Sequence, residues 1–479
     1  MEVPLYILVP LALLAALALA ERVLLPAVRV VLRRRVRAFV ERLNERLAFK
    51  LQPFKLTRKR TVEEMLVHDP EVAQAAADYR VENGLSWDEV TDLVRAYARE
   101  IVPRFNAYFY YRGAHWLARR VARAFYRVRV SFLDRRALAA IDPDSSVVFV
   151  MNHRSNFDYI LVSYLVSRHA AVSYAVGEWA RVWPLDTLIR RLGAYFVRRN
   201  ASDPLYRKVL ERFVQLSTDS GVTQGIFPEG RLTRDGRLGE PRLGLLSYLL
   251  KRFDPAGRRD LVFIPVGINY DRVFEDRTHA LQLEGRLHRR SIGHTAVLTM
   301  RWFGKYLWLL VRGRFLRFGW ACVNFGVPVS VKGYLSTQDR DLRALPADQH
   351  RAEVERLGNR LMEEVARAVP VTPVALTARA LLVANAPTVS LGALAGAVGS
   401  QLDELHANGL ARNVNRNGAA ELAVAGVRML SLRRVVRRDG DEVAMEEGER
   451  TLLEYYANSI AHLFAAPRHG SSAPLYSAS

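Results

Sequence analysis

The sequence predicts an α/β fold in which one main sheet lies between a helical N-terminal region and a helical C-terminal region. Two observations carry this. Between residues 145 and 335, short β-branched or aromatic runs alternate with helical patterns, the signature of strands and helices built around one sheet. On either side, residues 29 to 130 and 336 to 465 show helical spacing with polar interruptions. A chain of 479 residues, half of them hydrophobic and a quarter charged, is also long enough for a sizeable core and more than one domain. The expected segments are 1–38, apolar with a basic flank; 39–135, helical; 136–335, α/β; 336–465, helical; and 466–479, a disordered tail.

Val3 to Ala20 are uncharged and strongly apolar. An 18-residue helix is ~27 Å long, close to the thickness of a bilayer core. Arg22, Arg29 and the run Arg33 to Arg37 follow, and the positive-inside rule would put all later residues in the cytoplasm. The segment before the apolar run carries Glu2 and no Arg or Lys, which disfavours a cleaved leader. The expectation is an uncleaved anchor in the inner (cytoplasmic) membrane, the other reading being a hydrophobic helix docked on the protein. Thr61 with Glu64, and Ser86 with Glu89, have the spacing of capping boxes and each opens a predicted helix. Tyr108 to Tyr111, Trp116 and Arg119-Arg120 suit either a membrane interface or a core helix with an Arg-rich outer face.

Strands are predicted at Val147–Met151, Val172–Val176, Tyr195–Arg198, Val222–Phe227, Leu261–Asn269, Ala296–Arg301 and Ala321–Phe325. Trp302 to Trp320 mixes aromatic, aliphatic and basic residues without acids, and reads as membrane-facing or as a core connection. Beyond it, helices are predicted at Ala352–Ala368, Leu376–Ala384, Ser390–Asn408 and Leu452–Phe464.

The net charge of +21 comes almost wholly from arginine, whose planar fork suits phosphate, so the chain expects an anionic partner. Nucleic acid, an anionic membrane surface and phosphorylated small molecules all qualify. The single cysteine, Cys322, excludes an intrachain disulfide, and no metal-ligand spacing is present.

Two clusters carry chemistry. In Asn152-His153-Arg154-Ser155-Asn156-Phe157-Asp158, set after an apolar run, His153 and Asp158 are five residues apart. In one regular helix they would diverge by ~140°. With His153 on the loop leaving a strand and Asp158 in the first turn of the next helix, the carboxylate can orient the imidazole as a general base. An Asn/Ser/Asp-rich helix cap is the bland alternative. In Gly225 to Arg237, Glu229 and Gly230 end a strand in a turn and Arg231, Arg234 and Arg237 follow, a pattern suited to an anion or to a solvated basic face. Together they suggest an enzyme that activates a hydroxyl on a phosphorylated substrate. Gly193-Ala194-Tyr195-Phe196-Val197-Arg198-Arg199 and Ile264-Pro265-Val266 are weak signals alone.

In their order, these four blocks resemble those of the membrane-bound bacterial glycerol-3-phosphate acyltransferases, within the glycerolipid acyltransferase superfamily. Val323 to Pro328 resembles that family's Phe-Gly-x-Pro strand, and Leu452 to Ile460 its C-terminal Tyr-Tyr-x-Asn helix. The likeness covers roughly residues 100 to 465. Arg231-Leu232-Thr233 stands where the family often has Gly-Arg-Ser, and the N-terminal 100 residues match only loosely.

The resemblance implies an acyltransferase domain with a central mixed sheet flanked by helices. It implies transfer of an acyl chain from acyl-CoA or acyl carrier protein to the sn-1 hydroxyl of glycerol 3-phosphate, giving lysophosphatidate, with no further cofactor and no metal. His153 and Asp158 would be catalytic. Arg198, Arg199 and Arg234, assisted by Arg154, would bind the acceptor phosphate; Glu229 and Gly230 would shape the pocket; Pro265 would help position the thioester. Anionic membrane lipids are the expected surface partner, nucleic acid is not expected, and a homodimer is compatible with an anchored enzyme of this size. The rivals are a different acceptor, such as lysophosphatidate or dihydroxyacetone phosphate; an inactive scaffold; and a membrane-tethered nucleic-acid-binding protein, drawn from the charge and the helix-turn-helix flavour of Ser390 to Asn417 around Gly409.

Overall fold

The computed structural model describes residues 49–167, 169–177, 181, 185–198, 202–286, 318–337, 341–410 and 418–464, with isolated positions at 38, 40, 41, 44, 304, 308 and 312. The predicted anchor, Arg199, the strand expected at Ala296–Arg301, most of Trp302–Trp320 and the tail lie outside the described residues.

After one turn of helix at Pro53–Leu56 come helices α1 (Lys59–Val67), α2 (Pro70–Asn83) and α3 (Trp87–Ile101). The Ser86 capping box forms as expected, with Ser86 N–H donating to Glu89 and Glu89 N–H to Ser86. The box expected at Thr61 does not. Helix α1 already starts at Lys59 behind an extended Arg58 without a side-chain cap, so Thr61 lies inside the first turn. A six-residue π-helix, Phe109–Ala114, then runs into α4 (His115–Phe125). That helix buries Ala122 and Phe125 and exposes Trp116, Leu117, Arg120 and Arg123.

The strands are β1 (Arg127–Leu133), β2 (Ser146–Met151), β3 (Ser173–Gly177), β4 (Tyr195–Val197), β5 (Gln224–Ile226), β6 (Leu261–Tyr270), β7 (Trp320–Phe325) and β8 (Val329–Ser330). They form a mixed sheet of order β1-β7-β6-β2-β5-β3-β4, with β8 beside β6. Strands β6, β2, β5, β3 and β4 run parallel, whereas β7 and β8 run antiparallel to β6. The α/β class and the six predicted strands that are described are therefore observed. Strand β1 was not predicted and belongs to a stretch read as helical. Its Arg127-Val128-Arg129-Val130 alternation is a strand period, but it lies at the end of a basic aromatic helix.

Strand β2 is buried along its whole length, as a central parallel strand covered on both faces must be. Val147, Phe149 and Met151 enter one core, with α5 (Asp158–Val166) and the C-terminal helices. Val148 and Val150 enter another, with α1 to α3, α6 (Pro204–Asp219) and α8 (Ala347–Ala368). Pro265 sits inside β6, where a missing N–H would normally break a ladder. Here β8 pairs with residues 262 and 263 and β7 with 266 to 270, so Pro265 falls in the gap between them. Its carbonyl accepts from Gly326 N–H on that same side.

Helix α7 (Asp276–Leu283) follows β6. The C-terminal region is not purely helical. Helix α9 (Pro373–Ala384), β9 (Thr388–Ser390), α10 (Leu391–Ala407), α11 (Ala419–Ser431), β10 (Val436–Asp439), β11 (Glu442–Met445) and α12 (Arg450–Ala461) follow α8. The small sheet has the antiparallel order β10-β11-β9. Helix, strand, two helices and hairpin is the order of a helix-turn-helix unit with a β-wing, which accounts for the flavour noted around Gly409. The exposed face of α11 carries Ala420, Glu421, Val424 and Arg428, a poor set for reading bases or holding phosphates. Its inner residues, such as Leu422, Val427 and Leu430, instead join the same core as β2 and β6. Among the described residues no single helix is long and apolar enough to cross a membrane.

Candidate active site

Five parallel strands end on one edge of the sheet, the edge where α/β proteins place their ligands. The loops after β2, β5 and β6 meet there. Asn152 ties the first to β6: its side-chain amide donates to Ile268 O at 2.9 Å and its oxygen accepts from Ile268 N–H at 2.7 Å. This pair extends the ladder by one side chain and fixes where His153 begins.

His153 lies on the loop and Asp158 is the first residue of α5, as the spacing predicted. The Nδ1–Oδ2 distance is 2.9 Å, and both side chains are buried. Asp158 Oδ2 also accepts from the N–H groups of Arg154 at 2.8 Å and Ser155 at 3.0 Å. Its Oδ1 accepts from the Tyr270 hydroxyl at 2.6 Å. The carboxylate thus does two jobs, shaping the loop and facing one imidazole nitrogen. With the proton held on Nδ1, Nε2 keeps a lone pair, and it makes no hydrogen bond to any described residue. The His153 ring stacks on Phe227, with centroids 4.0 Å apart, which fixes its plane.

Glu229 is buried and bridges two loops: Oε1 accepts from His153 N–H and Oε2 from Gly239 N–H, both at 2.9 Å. Burial pushes its carboxyl up to about 7, with the nearby Asp158 charge adding to the shift. Gly230 has φ +67°, a left-handed turn, and a Cβ there would lie 2.7 Å from Arg242 Cδ. Thr233 N–H donates to His153 O at 3.1 Å, so the strand-5 loop is stitched to the histidine at both ends.

The predicted arginines separate. Arg154 is buried; its Nη1 donates to Gly236 O and its guanidinium lies 5.0 Å from the Tyr455 ring centroid. Arg234 is exposed on the loop after β5 and makes no hydrogen bond or ion pair among the described residues. Arg198 leaves β4, three strands from β2, ~14 Å at ordinary strand spacing. Its Nε and Nη2 donate to the two oxygens of Glu100 at 2.9 and 2.7 Å, and it stacks on Tyr97 and Tyr206. Pro265 is buried in β6 opposite Val150, behind the histidine loop.

Sequence reasoning missed several groups. Glu275, after β6, accepts from Ser155 Oγ at 2.8 Å, Asn156 N–H at 3.2 Å and Asn156 Nδ2 at 3.1 Å. Burial raises its carboxyl to about 7. Nothing in the sequence marked Glu275 or the partnership of Tyr270 with Asp158. The C-terminal helix α12 was predicted as a helix, but not its place against the site. Asn458 Nδ2 donates to Asp235 O at 2.9 Å. Gly236, at φ +87°, admits the helix backbone so closely that a Cβ would sit 1.9 Å from Tyr455 O. Behind it, Asp276 binds Arg433 at 2.6 Å and accepts from the Tyr456 hydroxyl, joining α7, the turn after α11 and α12 in one buried network. Among the described residues no group of three His, Cys, Asp or Glu side chains is arranged to hold a metal.

A sheet-edge His/Asp pair held by a buried glutamate fits the result of comparison with known families. Residues 127–269 match the family model described as Acyltransferase, so the sheet carries an acyltransferase domain. Residues 305–473 match the model described as Glycerol-3-phosphate acyltransferase C-terminal region. Over the sheet and the C-terminal region together, the chain is thus similar to the glycerol-3-phosphate acyltransferases. The glycerol-3-phosphate acyltransferase of Pseudomonas putida is 28% identical over 429 residues, covering 86% of this chain and 50% of the relative. That of Ectopseudomonas mendocina is 29% identical over 428 residues, with the same coverage of 86% and 50%. The chain thus spans about half the length of the curated relatives it matches. A solved structure of the 1-acyl-sn-glycerophosphate acyltransferase from Thermotoga maritima aligns over 64% of this chain and 97% of its own at 18% identity; its TM-score of 0.32 is too low to support an argument.

Proposed function

We propose that this chain transfers a fatty acyl group from a thioester, acyl-CoA or acyl carrier protein, to the sn-1 hydroxyl of glycerol 3-phosphate, giving lysophosphatidate. The observation that carries the reading is the buried His153–Asp158 contact of 2.9 Å with Nε2 left unengaged. Nε2 takes the hydroxyl proton as the oxygen attacks the thioester carbonyl. The carbon–sulfur bond breaks, and the protonated imidazole returns the proton to the departing thiolate. Asp158 stabilises the imidazolium and holds the tautomer; such a positioned base contributes typically ~10²–10⁴-fold. Glu229 and Glu275 keep the loop backbone in place rather than touching substrate. Arg154 and Arg234 are the arginines best set to meet the acceptor phosphate. Arg198 could do so only by releasing Glu100.

The product partitions into a bilayer, and the outer face of α4, with Trp116, Leu117, Arg120 and Arg123, has the composition of a surface that rests on anionic lipid. The test of the reaction is an acceptor panel. The detergent-purified protein is given palmitoyl-CoA with glycerol 3-phosphate, dihydroxyacetone phosphate or lysophosphatidate in separate reactions. Lysophosphatidate formed from the first alone supports the proposal. Acylation of lysophosphatidate alone would replace it with the second-step reaction.

A further inference from the structure

Helices α7 and α12 bring two more polar side chains to the loop that carries Arg154. His279 of α7 is 7% exposed and Tyr455 of α12 is 1% exposed. Their rings lie nearly parallel with centroids 6.2 Å apart, and the Arg154 guanidinium lies 5.0 Å from the Tyr455 centroid. Five buried atoms of this one cluster lack a hydrogen-bond partner: Arg154 Nε and Nη2, both ring nitrogens of His279, and the Tyr455 hydroxyl. Native interiors pair nearly all such groups, so a concentration of unpaired ones beside a reactive loop marks a place for something that accepts hydrogen bonds.

Charge says what that is. Arg154 has no carboxylate partner, and Arg234 is close enough to influence His279. Asp276, the acid that acts on His279, is engaged by Arg433 and Tyr456. Burial and the two arginine charges, outweighing Asp276, hold His279 down at about 4, so at neutral pH the imidazole offers one N–H and no charge of its own. A small anion with several acceptor oxygens would satisfy a guanidinium edge, a phenol and an imidazole N–H together.

We propose that His279 and Tyr455, with Arg154, form an anion subsite that takes the phosphate end of the acceptor, so that the C-terminal helix completes the acceptor site. This rests on the acyl-transfer reading for the identity of the acceptor, but the anion subsite is testable without it. It also gives the C-terminal region a chemical task, since Tyr455 reaches the loop only because Gly236 lets α12 pack against it.

The experiment compares the full-length protein with Tyr455→Phe and, separately, His279→Gln. Each swap keeps most of the side-chain volume, and the unliganded melting temperature identifies a variant that fails to fold. The probes are inorganic phosphate, glycerol 3-phosphate and glycerol, read by thermal shift, with steady-state kinetics alongside. Millimolar phosphate and glycerol 3-phosphate, but not glycerol, should raise the wild-type melting temperature, and each folded variant should lose most of that rise. KM for glycerol 3-phosphate should increase tenfold or more while KM for the acyl donor stays within twofold. A wild type indifferent to phosphate, or variants that keep its full response and its KM, would overturn the subsite. A phosphate response lost in the variants, from a wild type that acylates no glycerol 3-phosphate, would leave the subsite standing and reject the acyl-transfer reading.

Discussion

The loops after β2 and β4 leave the same edge of one sheet and each carries an arginine, yet the two arginines meet opposite fates. Arg198 finds Glu100, making two hydrogen bonds to its carboxylate between two tyrosine rings. Arg154 is more deeply buried but finds only a carbonyl and an aromatic face. A guanidinium with a carboxylate is a structural clamp; one buried without a carboxylate is unfinished until an anion arrives. Sequence motifs list both as arginines after a strand, and only their neighbours tell them apart.

The comparison can be broken in several ways. The largest effect is expected at Asp158, which supports both the loop and the imidazole. Asp158→Asn should lower kcat by ~10²–10⁴-fold. It should also cost ~1–3 kcal/mol of stability in urea unfolding, because an amide cannot accept all four hydrogen bonds. A kcat within fivefold of wild type would remove Asp158 from the mechanism.

Next comes the arginine pair itself. Arg154→Gln should raise KM for glycerol 3-phosphate at least tenfold. Arg198→Gln should leave KM within twofold and cost only ~0.5–1 kcal/mol, as a partly exposed ion pair does. The reverse pattern would mean that the family's Arg-Arg block, not the histidine loop, holds the phosphate.

Glu229 allows a prediction in pH. Its folded-state value of about 7 lies above the usual 4.5, so the folded protein binds this proton more tightly than the unfolded chain. Stability should therefore fall as pH rises from about 4.5 to about 7, by roughly 1.4 kcal/mol per unit of separation, and level off above. Activity should move the other way, because only the ionised carboxylate accepts from both His153 and Gly239. Glu229→Gln should reduce the stability slope in that window, leaving the part due to Glu275, which burial holds at about 7 as well, and lower kcat throughout. A variant that keeps the full wild-type slope would show that Glu229 contributes nothing to it. The smallest effect is expected at α4, where Trp116→Ala with Arg120→Glu should weaken co-sedimentation with phosphatidylglycerol vesicles a few-fold without changing kcat on soluble substrate.

These contrasts also mark what the sequence could tell. Strands β2 to β6 were legible because buried parallel strands need unbroken apolar runs, and Val147 to Met151 is such a run. His153 and Asp158 were legible because their spacing fits a strand-to-helix loop and no regular helix face. Strand β1 was obscured by a neighbouring helix, and β10–β11 by its length, although Gly440-Asp441 is a two-residue hairpin signal. His279, Glu275 and Tyr270 were not legible at all. A lone histidine or glutamate on a helix or at its start has no local pattern; its meaning comes from packing α7 and α12 against a loop more than a hundred residues earlier in the chain.

The most direct test of the account is one assay. Detergent-purified wild type and His153→Ala are given labelled glycerol 3-phosphate and palmitoyl-CoA, with matched melting curves as the folding control. The account predicts lysophosphatidate from the wild type and at least a hundredfold less from a folded variant. Equal product from both would contradict it, because a hydroxyl activated without His153 needs a base that the buried pair at the end of β2 does not supply.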